Sequence, residues 1–158
     1  MTTVDKIIEI TNPAQIGFKG ITLLSAEEVK NNYHNIKVIE NTWWLCTNGE
    51  LSNSAVVVHN DGYIYYPGYF YDSEIGVRPA LVIKDLGEFE VGDQFILDEY
   101  RWTIINQHYA LCDDIISKTC FKSLLTTRDK GFNDYSNSDI KLWLEDWFIS
   151  HVDGVEWI

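Results

Sequence analysis

The chain has 158 residues, 46% of them hydrophobic and 14% aromatic, with 24 acidic side chains against 12 basic ones. Such a composition excludes a disordered chain, and the length suits one domain, 1–158, with a sizeable core. The net charge of −12 argues against direct binding to nucleic acid or to an anionic membrane, both of which would repel it.

Residues 1–20 form a weakly patterned strand or arm. Val4, Ile7, Ile8 and Ile10 suit a short strand, which Asn12-Pro13 ends. The next run, from Ile21, reads as a strand ending at Leu24 and then a helix. Ser25 is its N-cap and Glu28, three residues on, its capping-box partner. Asn31 and Asn32 are poor helix formers and keep this helix short.

Thr42–Ile83 is the stretch the rest of the chain supports. It holds two of the six tryptophans and five of the nine tyrosines. Ala55–Val58 is a β-branched strand, His59-Asn60-Asp61-Gly62 a turn, and Tyr63–Tyr66 a returning strand that Pro67-Gly68 breaks. Gly76-Val77-Arg78-Pro79 leads into Ala80–Ile83, an apolar run of buried-strand type. Residues 84–93 make a polar link. Gln94–Leu97, Tyr100–Asn106 and Tyr109–Asp113 then read as a three-strand meander with turns at Asp98-Glu99 and Asn106-Gln107-His108.

Ile115–Leu125 suits a short helix or irregular chain equally well. Thr126–Asn137 is a loop rich in Asp, Asn, Ser and Gly whose order departs from the EF-hand pattern. Ser138–Ser150 is the clearest helix. Ile140, Trp143, Leu144, Trp147 and Phe148 fall on one face, Ser138 caps it, and Asp139 suits its positive end. The spacing predicts that Trp143, Leu144 and Trp147 are buried and that Ile140 shares a core with Leu24. Val152–Ile158 suits a short edge strand.

The charge deficit is spread along the chain. Residues 1–80 carry nine acidic and five basic side chains, and residues 81–158 carry fifteen and seven. Solubility accounts for such a surface, and attraction to a basic partner, with imitation of a nucleic-acid backbone, is the alternative. Cys46, Cys112 and Cys120 lack C-x-x-C spacing, and three reduced thiols suit an intracellular protein better than one disulfide with a free thiol. No apolar run reaches the ~18 residues of a membrane span, and the first residues lack signal-peptide architecture. The expected location is the cytoplasm, or a virion assembled there.

Two pairs of motifs resemble an uncharacterised bacterial and phage domain family. Trp43-Trp44-Leu45, a strand pair around Asn60-Asp61-Gly62, and Gly76-Val77-Arg78-Pro79-Ala80-Leu81 are similar to its WWLRSPG, DG and GVRPAL segments. Leu23-Leu24-Ser25 with Glu27-Glu28 matches the start of that half. Trp102-Thr103-Ile104-Ile105, Tyr109-Ala110-Leu111 and Ser138-Asp139-Ile140-Lys141 with Trp143-Leu144 and Phe148 resemble its tryptophan-led strand pair and SDIRKWLN helix. The likeness covers roughly residues 21–149. Cys46 stands where the family has arginine, and the two halves (21–83 and 94–158) follow in reverse order. That order implies a circular permutation, with the 84–93 link joining the former ends. The arrangement is also similar, at the level of fold, to the C-type-lectin-like domains of formylglycine-generating enzymes and phage receptor-binding proteins.

Catalytic chemistry finds little footing. Cys46 with His59 is the only nucleophile–base pair to name, and a buried small side chain beside a turn histidine explains both. The cysteines do not map onto a formylglycine-type oxidase pair. His34, His59, His108 and His151 lack zinc spacing, and no phosphate-binding glycine motif is present, so neither metal nor cofactor is expected. Arg78, between glycine and proline at a strand entrance, suits a structural role tying loops together through carbonyls or a carboxylate. Trp43, Trp44 and Trp143 complete the structural motif. Tyr63, Tyr65, Tyr66, Tyr69 and Tyr71, with Phe70, are the candidate ligand-binding residues, because tyrosine is rigid and amphipathic.

The expectation is an α+β domain with mixed or antiparallel sheet and two helices, lectin-like and permuted. Its expected role is non-catalytic recognition of a protein or glycan. The alternative is a small acidic inhibitor from a mobile element acting on a basic, nucleic-acid-binding nuclease. An enzyme ranks third.

Overall fold

A computed structural model describes residues 7–9, 17–50, 53–87, 89–121, 135 and 138–153. Its strands in chain order are β1 (Ile7–Glu9), β2 (Gly17–Thr22), β3 (Trp43–Asn48), β4 (Ser54–Val58), β5 (Ile64–Phe70), β6 (Ile75–Val77), β7 (Ala80–Asp85), β8 (Gln94–Leu97), β9 (Tyr100–Ile104), β10 (Tyr109–Cys112) and β11 (Ser117–Thr119). Helices α1 (Ala26–Asn31) and α2 (Asp139–Phe148) complete an α+β fold.

The local signals act where the sequence puts them. Ser25 Oγ accepts from Glu28 N at 3.1 Å while Glu28 Oε1 accepts from Ser25 N at 2.8 Å, the reciprocal box that starts α1. Asn32 ends the helix, its side-chain amide donating to the Glu28 carbonyl. Asp98 and Glu99 both adopt positive φ, 54° and 71°, which gives the β8–β9 hairpin the turn twist that a two-residue connection needs. Ser138 Oγ accepts from Lys141 N and caps α2.

One sheet has the order β1-β8-β9-β10-β7-β2, with β1 parallel to β8 and the remaining pairs antiparallel. The other has the order β11-β6-β3-β4-β5. The expected meander is β8-β9-β10. Alternation along the strands divides the core. Leu81, Phe95, Trp102 and Ala110 of the first sheet pack with Trp147 of α2. Ala80 and Leu111 face the other way, toward Val29 of α1 and toward Trp43, Leu45, Val56 and Val58 of the second sheet. Trp44, Ala55 and Val57 turn to the opposite face and meet Ile140 and Leu144 of α2. Helix α2 therefore touches both sheets, and β4 is buried along its whole length.

Several expectations are corrected. The strand read as ending at Leu24 stops at Thr22. Leu24 lies in the cluster beneath α1, and it is its neighbour Leu23 that packs with Ile140, because adjacent side chains leave an extended chain on opposite sides. Tyr63 precedes β5, and β5 does not break at Pro67-Gly68 but runs on to Phe70. Position in the sheet explains this. On the edge strand β5, Pro67 falls in the irregular stretch between the Ala55 and Val57 pairings, where no ladder bond calls for its N–H. The register Ala55↔Tyr69 and Val57↔Tyr65 spans four residues of β5 against two of β4. A bulge absorbs the excess at Gly68, whose φ is +81° and whose added Cβ would lie 2.5 Å from the Ala55 carbonyl oxygen.

Ser117–Thr119 forms a strand within the stretch read as helix or irregular chain, and the Asp/Asn-rich loop read at 126–137 lies outside the described residues except for Tyr135. The C-terminal helix is α2 followed by a π-helical turn, Ile149–Asp153. Val152 and Asp153 belong to that turn and not to an edge strand, and 154–158 lie outside the described residues. Trp143 is not core. It is 37% exposed, while Ile140, Leu144 and Trp147, spaced four and three apart, make the buried stripe.

Candidate functional site

Strands β3, β4 and β5 lie side by side, and the aromatic residues of β3 and β5 meet different surroundings. Trp43 and Trp44, on β3, are fully buried. Trp44 donates its indole N–H to the Thr119 carbonyl at 2.9 Å and meets Phe121 edge-on. The Arg78 guanidinium lies over the Trp43 ring, 4.9 Å from its centroid. Arg78 Nε donates to the Cys112 carbonyl at 2.6 Å and Nη1 to the Lys37 carbonyl at 2.9 Å. Burial brings this guanidinium down to about 10, with Asp113 acting in the other direction, so it stays charged at neutral pH. Arg78 thus ties its own segment to the end of β10 and to the Lys37 segment through two carbonyls.

The tyrosines differ. Tyr63 is 72% exposed and Tyr66 50%, whereas Tyr71 is 1% exposed and stacks on Phe121. Tyr71 is therefore removed from the candidate ligand-binding set. It follows β5 where the chain turns back under the sheet, its N–H bonded to the Asn53 carbonyl. Tyr65 and Tyr69 share one face of β5, opposite Val57 and Ala55. Their rings stand nearly perpendicular, at 79° with centroids 5.6 Å apart. His59, from the preceding turn, stacks on Tyr65 at 4.7 Å, and its Nε2 lies 3.1 Å from the Tyr69 hydroxyl. Tyr65 and Tyr69, though not His59, line an open cleft of about 450 Å³ together with Glu50, Pro67 and Phe70.

Tyr66 faces the other way. It borders a second open cleft with Glu27, Lys30 and Thr47, close to α1. Tyr33 approaches the Ile64 backbone on that side, near Tyr63 and Tyr66, and burial raises its hydroxyl pKa. The bulged edge strand thus presents aromatic rings on both faces.

Cys46 and His59 do not make a nucleophile and its base. The thiol is pushed up to about 11, first by burial and then by Glu28, so it is held in its unreactive form. His59 is engaged by the two tyrosines. All three cysteines are free thiols. Among the described residues, no three His, Cys, Asp or Glu side chains converge as metal ligands, and no helix is long and apolar enough to cross a membrane.

Sequence reasoning missed His59 and Glu50 as parts of the aromatic site. One signal pointed there. Between Lys37 and Arg78 the chain has no lysine or arginine, while Glu40, Glu50, Asp61, Asp72 and Glu74 are all acidic. No family model, curated protein or solved structure matches the chain.

Proposed function

We propose that this protein is a non-catalytic recognition module that binds a protein or glycan through the aromatic edge strand β5. The observation that carries this reading is the Tyr65–Tyr69–His59 cluster. Its rings are already ordered against one another beside an open cleft, so little side-chain freedom is lost when a ligand arrives. Rigid aromatic rings with polar tips suit both sugar faces and protein loops.

The test compares the wild type with Tyr65→Ala and Tyr69→Ala variants on an oligosaccharide array and against proteins captured from lysate. Binding that disappears in variants of unchanged melting temperature supports the reading. Binding indifferent to both tyrosines, yet falling steeply between low and moderate salt, favours the alternative of an acidic inhibitor of a basic nuclease. The net charge of −12 motivates that alternative.

The permuted relation to the WWLRSPG and GVRPAL family is proposed alongside. Leu23 packing with Ile140 and Leu144 supports it, because it brings the start of one half against the helix of the other. A rearranged chain that begins at Glu88, runs to Ile158 and continues through a Gly/Ser linker into Thr2–Ile83 should keep a melting temperature near that of the natural chain. An unfolded product contradicts the relation.

A further inference from the structure

The cleft beside β5 carries more than a general affinity for ligands. Its backbone is poorly suited to adding a strand. Pro67 has no N–H to offer, its carbonyl already accepts from Glu50 N at 3.1 Å, and the Gly68 bulge turns the edge out of register. A partner at this edge is read by side chains and not by a β-ladder.

The side chains present specify a charge. Tyr65, Tyr69 and Phe70 offer ring faces and edges, and Glu50 stands at the rim with its carboxylate exposed. Ser73 also lines the cleft and is flanked in sequence by Asp72 and Glu74. Residues 38–77 contain no lysine or arginine. Ring faces carry negative potential, so rings and carboxylates attract the same ligand. A neutral sugar would stack on the rings and donate hydroxyls to the Glu50 carboxylate, but it draws no Coulombic attraction from either. A guanidinium uses both, since it stacks flat on tyrosine while its N–H fork pairs with a carboxylate.

We propose that this cleft seats a positively charged side chain, arginine above all, from a loop of a protein partner, with Tyr65, Tyr69 and Phe70 as its walls and Glu50 as its counter-charge. The proposal rests on the recognition reading above and narrows it to one chemistry.

The probe is the capped peptide acetyl-Gly-Arg-Gly-amide, titrated into the full chain while tyrosine ring signals are followed by NMR. The same peptide with citrulline in place of arginine is the neutral isostere. The Arg peptide is expected to shift the Tyr65 and Tyr69 ring signals in a saturable way. Glu50→Gln should weaken it about threefold, as the loss of one exposed ion pair does, with no change in melting temperature, because Glu50 is exposed. Citrulline should bind about tenfold more weakly or not measurably, having lost both the ion pair and the cation–π attraction. Equal binding of the two peptides, or ring shifts unaffected by Glu50→Gln, overturns the proposal. If oligosaccharides shift these rings and the Arg peptide does not, the charge assignment fails while the recognition reading stands. If neither probe shifts them and no captured protein depends on the tyrosines, both fail.

Discussion

Two aromatic groups lie two strands apart in one sheet and have opposite fates. On β3, Trp43 and Trp44 point to opposite faces, and both are sealed, one beneath α1 and the other beneath α2. On β5, Tyr65 and Tyr66 also point to opposite faces, and both reach solvent. The side chains are comparably large and apolar. What differs is position, because a central strand has neighbours and helices over both faces while an edge strand outruns its cover. An aromatic residue becomes core or surface according to what lies above it, and only then according to its own chemistry.

The largest expected effect lies on the buried side. Trp44→Ala removes an indole packed on Phe121 and leaves the Thr119 carbonyl without its donor. It should cost about 3–5 kcal/mol in urea unfolding, as large-to-small changes in packed cores do. A loss below about 1 kcal/mol would place the β3 tryptophans with the β5 tyrosines and erase the contrast.

Trp143 sharpens the comparison from α2. At 37% exposure it lies between the two classes. Trp143→Ala should therefore cost about 1–1.5 kcal/mol, well short of the Trp44 value, because only part of the ring leaves an apolar contact. The same urea titration measures it, and a cost matching that of Trp44→Ala would show that burial does not rank these sites.

The smallest effect is a pH slope. Burial pushes Cys46 up to about 11 and Cys112, Tyr109 and Tyr135 up to about 12. Each group holds its proton more tightly folded than unfolded. The resulting stability is present in full below the ordinary cysteine and tyrosine values, 9.0 and 10.0, and is lost as pH rises toward the folded ones. Arg78, lowered to about 10, acts in the opposite sense over the top of that range, one group against four. The urea midpoint should thus fall between about pH 9 and 11, and Cys46→Ala should flatten the fall. A midpoint rising over that interval contradicts the burial assigned to these groups.

Much of the fold was legible because its signals are local. The capping box at Ser25 and Glu28, the Asp98-Glu99 hairpin and the Ser138 cap each depend on residues within four positions of one another. What was not legible depended on position in space. Pro67-Gly68 is a strand breaker by its chemistry, and only the edge location of β5 turns it into a bulge. Tyr71 is one more tyrosine in a row until Phe121, fifty residues later, stacks on it. Trp143 satisfies the helical period and still lies at the margin of the stripe, since the period gives a face and not its width. Of the candidate site, Tyr65, Tyr66 and Tyr69 were readable as a run of tyrosines on or beside one strand. The part of His59 was not, because its stacking on Tyr65 is made by the hairpin and not by spacing.

The central claim is that the exposed tyrosines at β5, Tyr63, Tyr65 and Tyr66, contribute little to the fold and are available to a ligand. It is tested most directly by urea unfolding of the triple variant Tyr63→Ser, Tyr65→Ser, Tyr66→Ser beside Trp44→Ala. The triple variant should lose about 1–2 kcal/mol in total, most of it from Tyr65, which is as exposed as Trp143. A loss equal to that of Trp44→Ala would show that these rings hold the structure together and are not there for a partner.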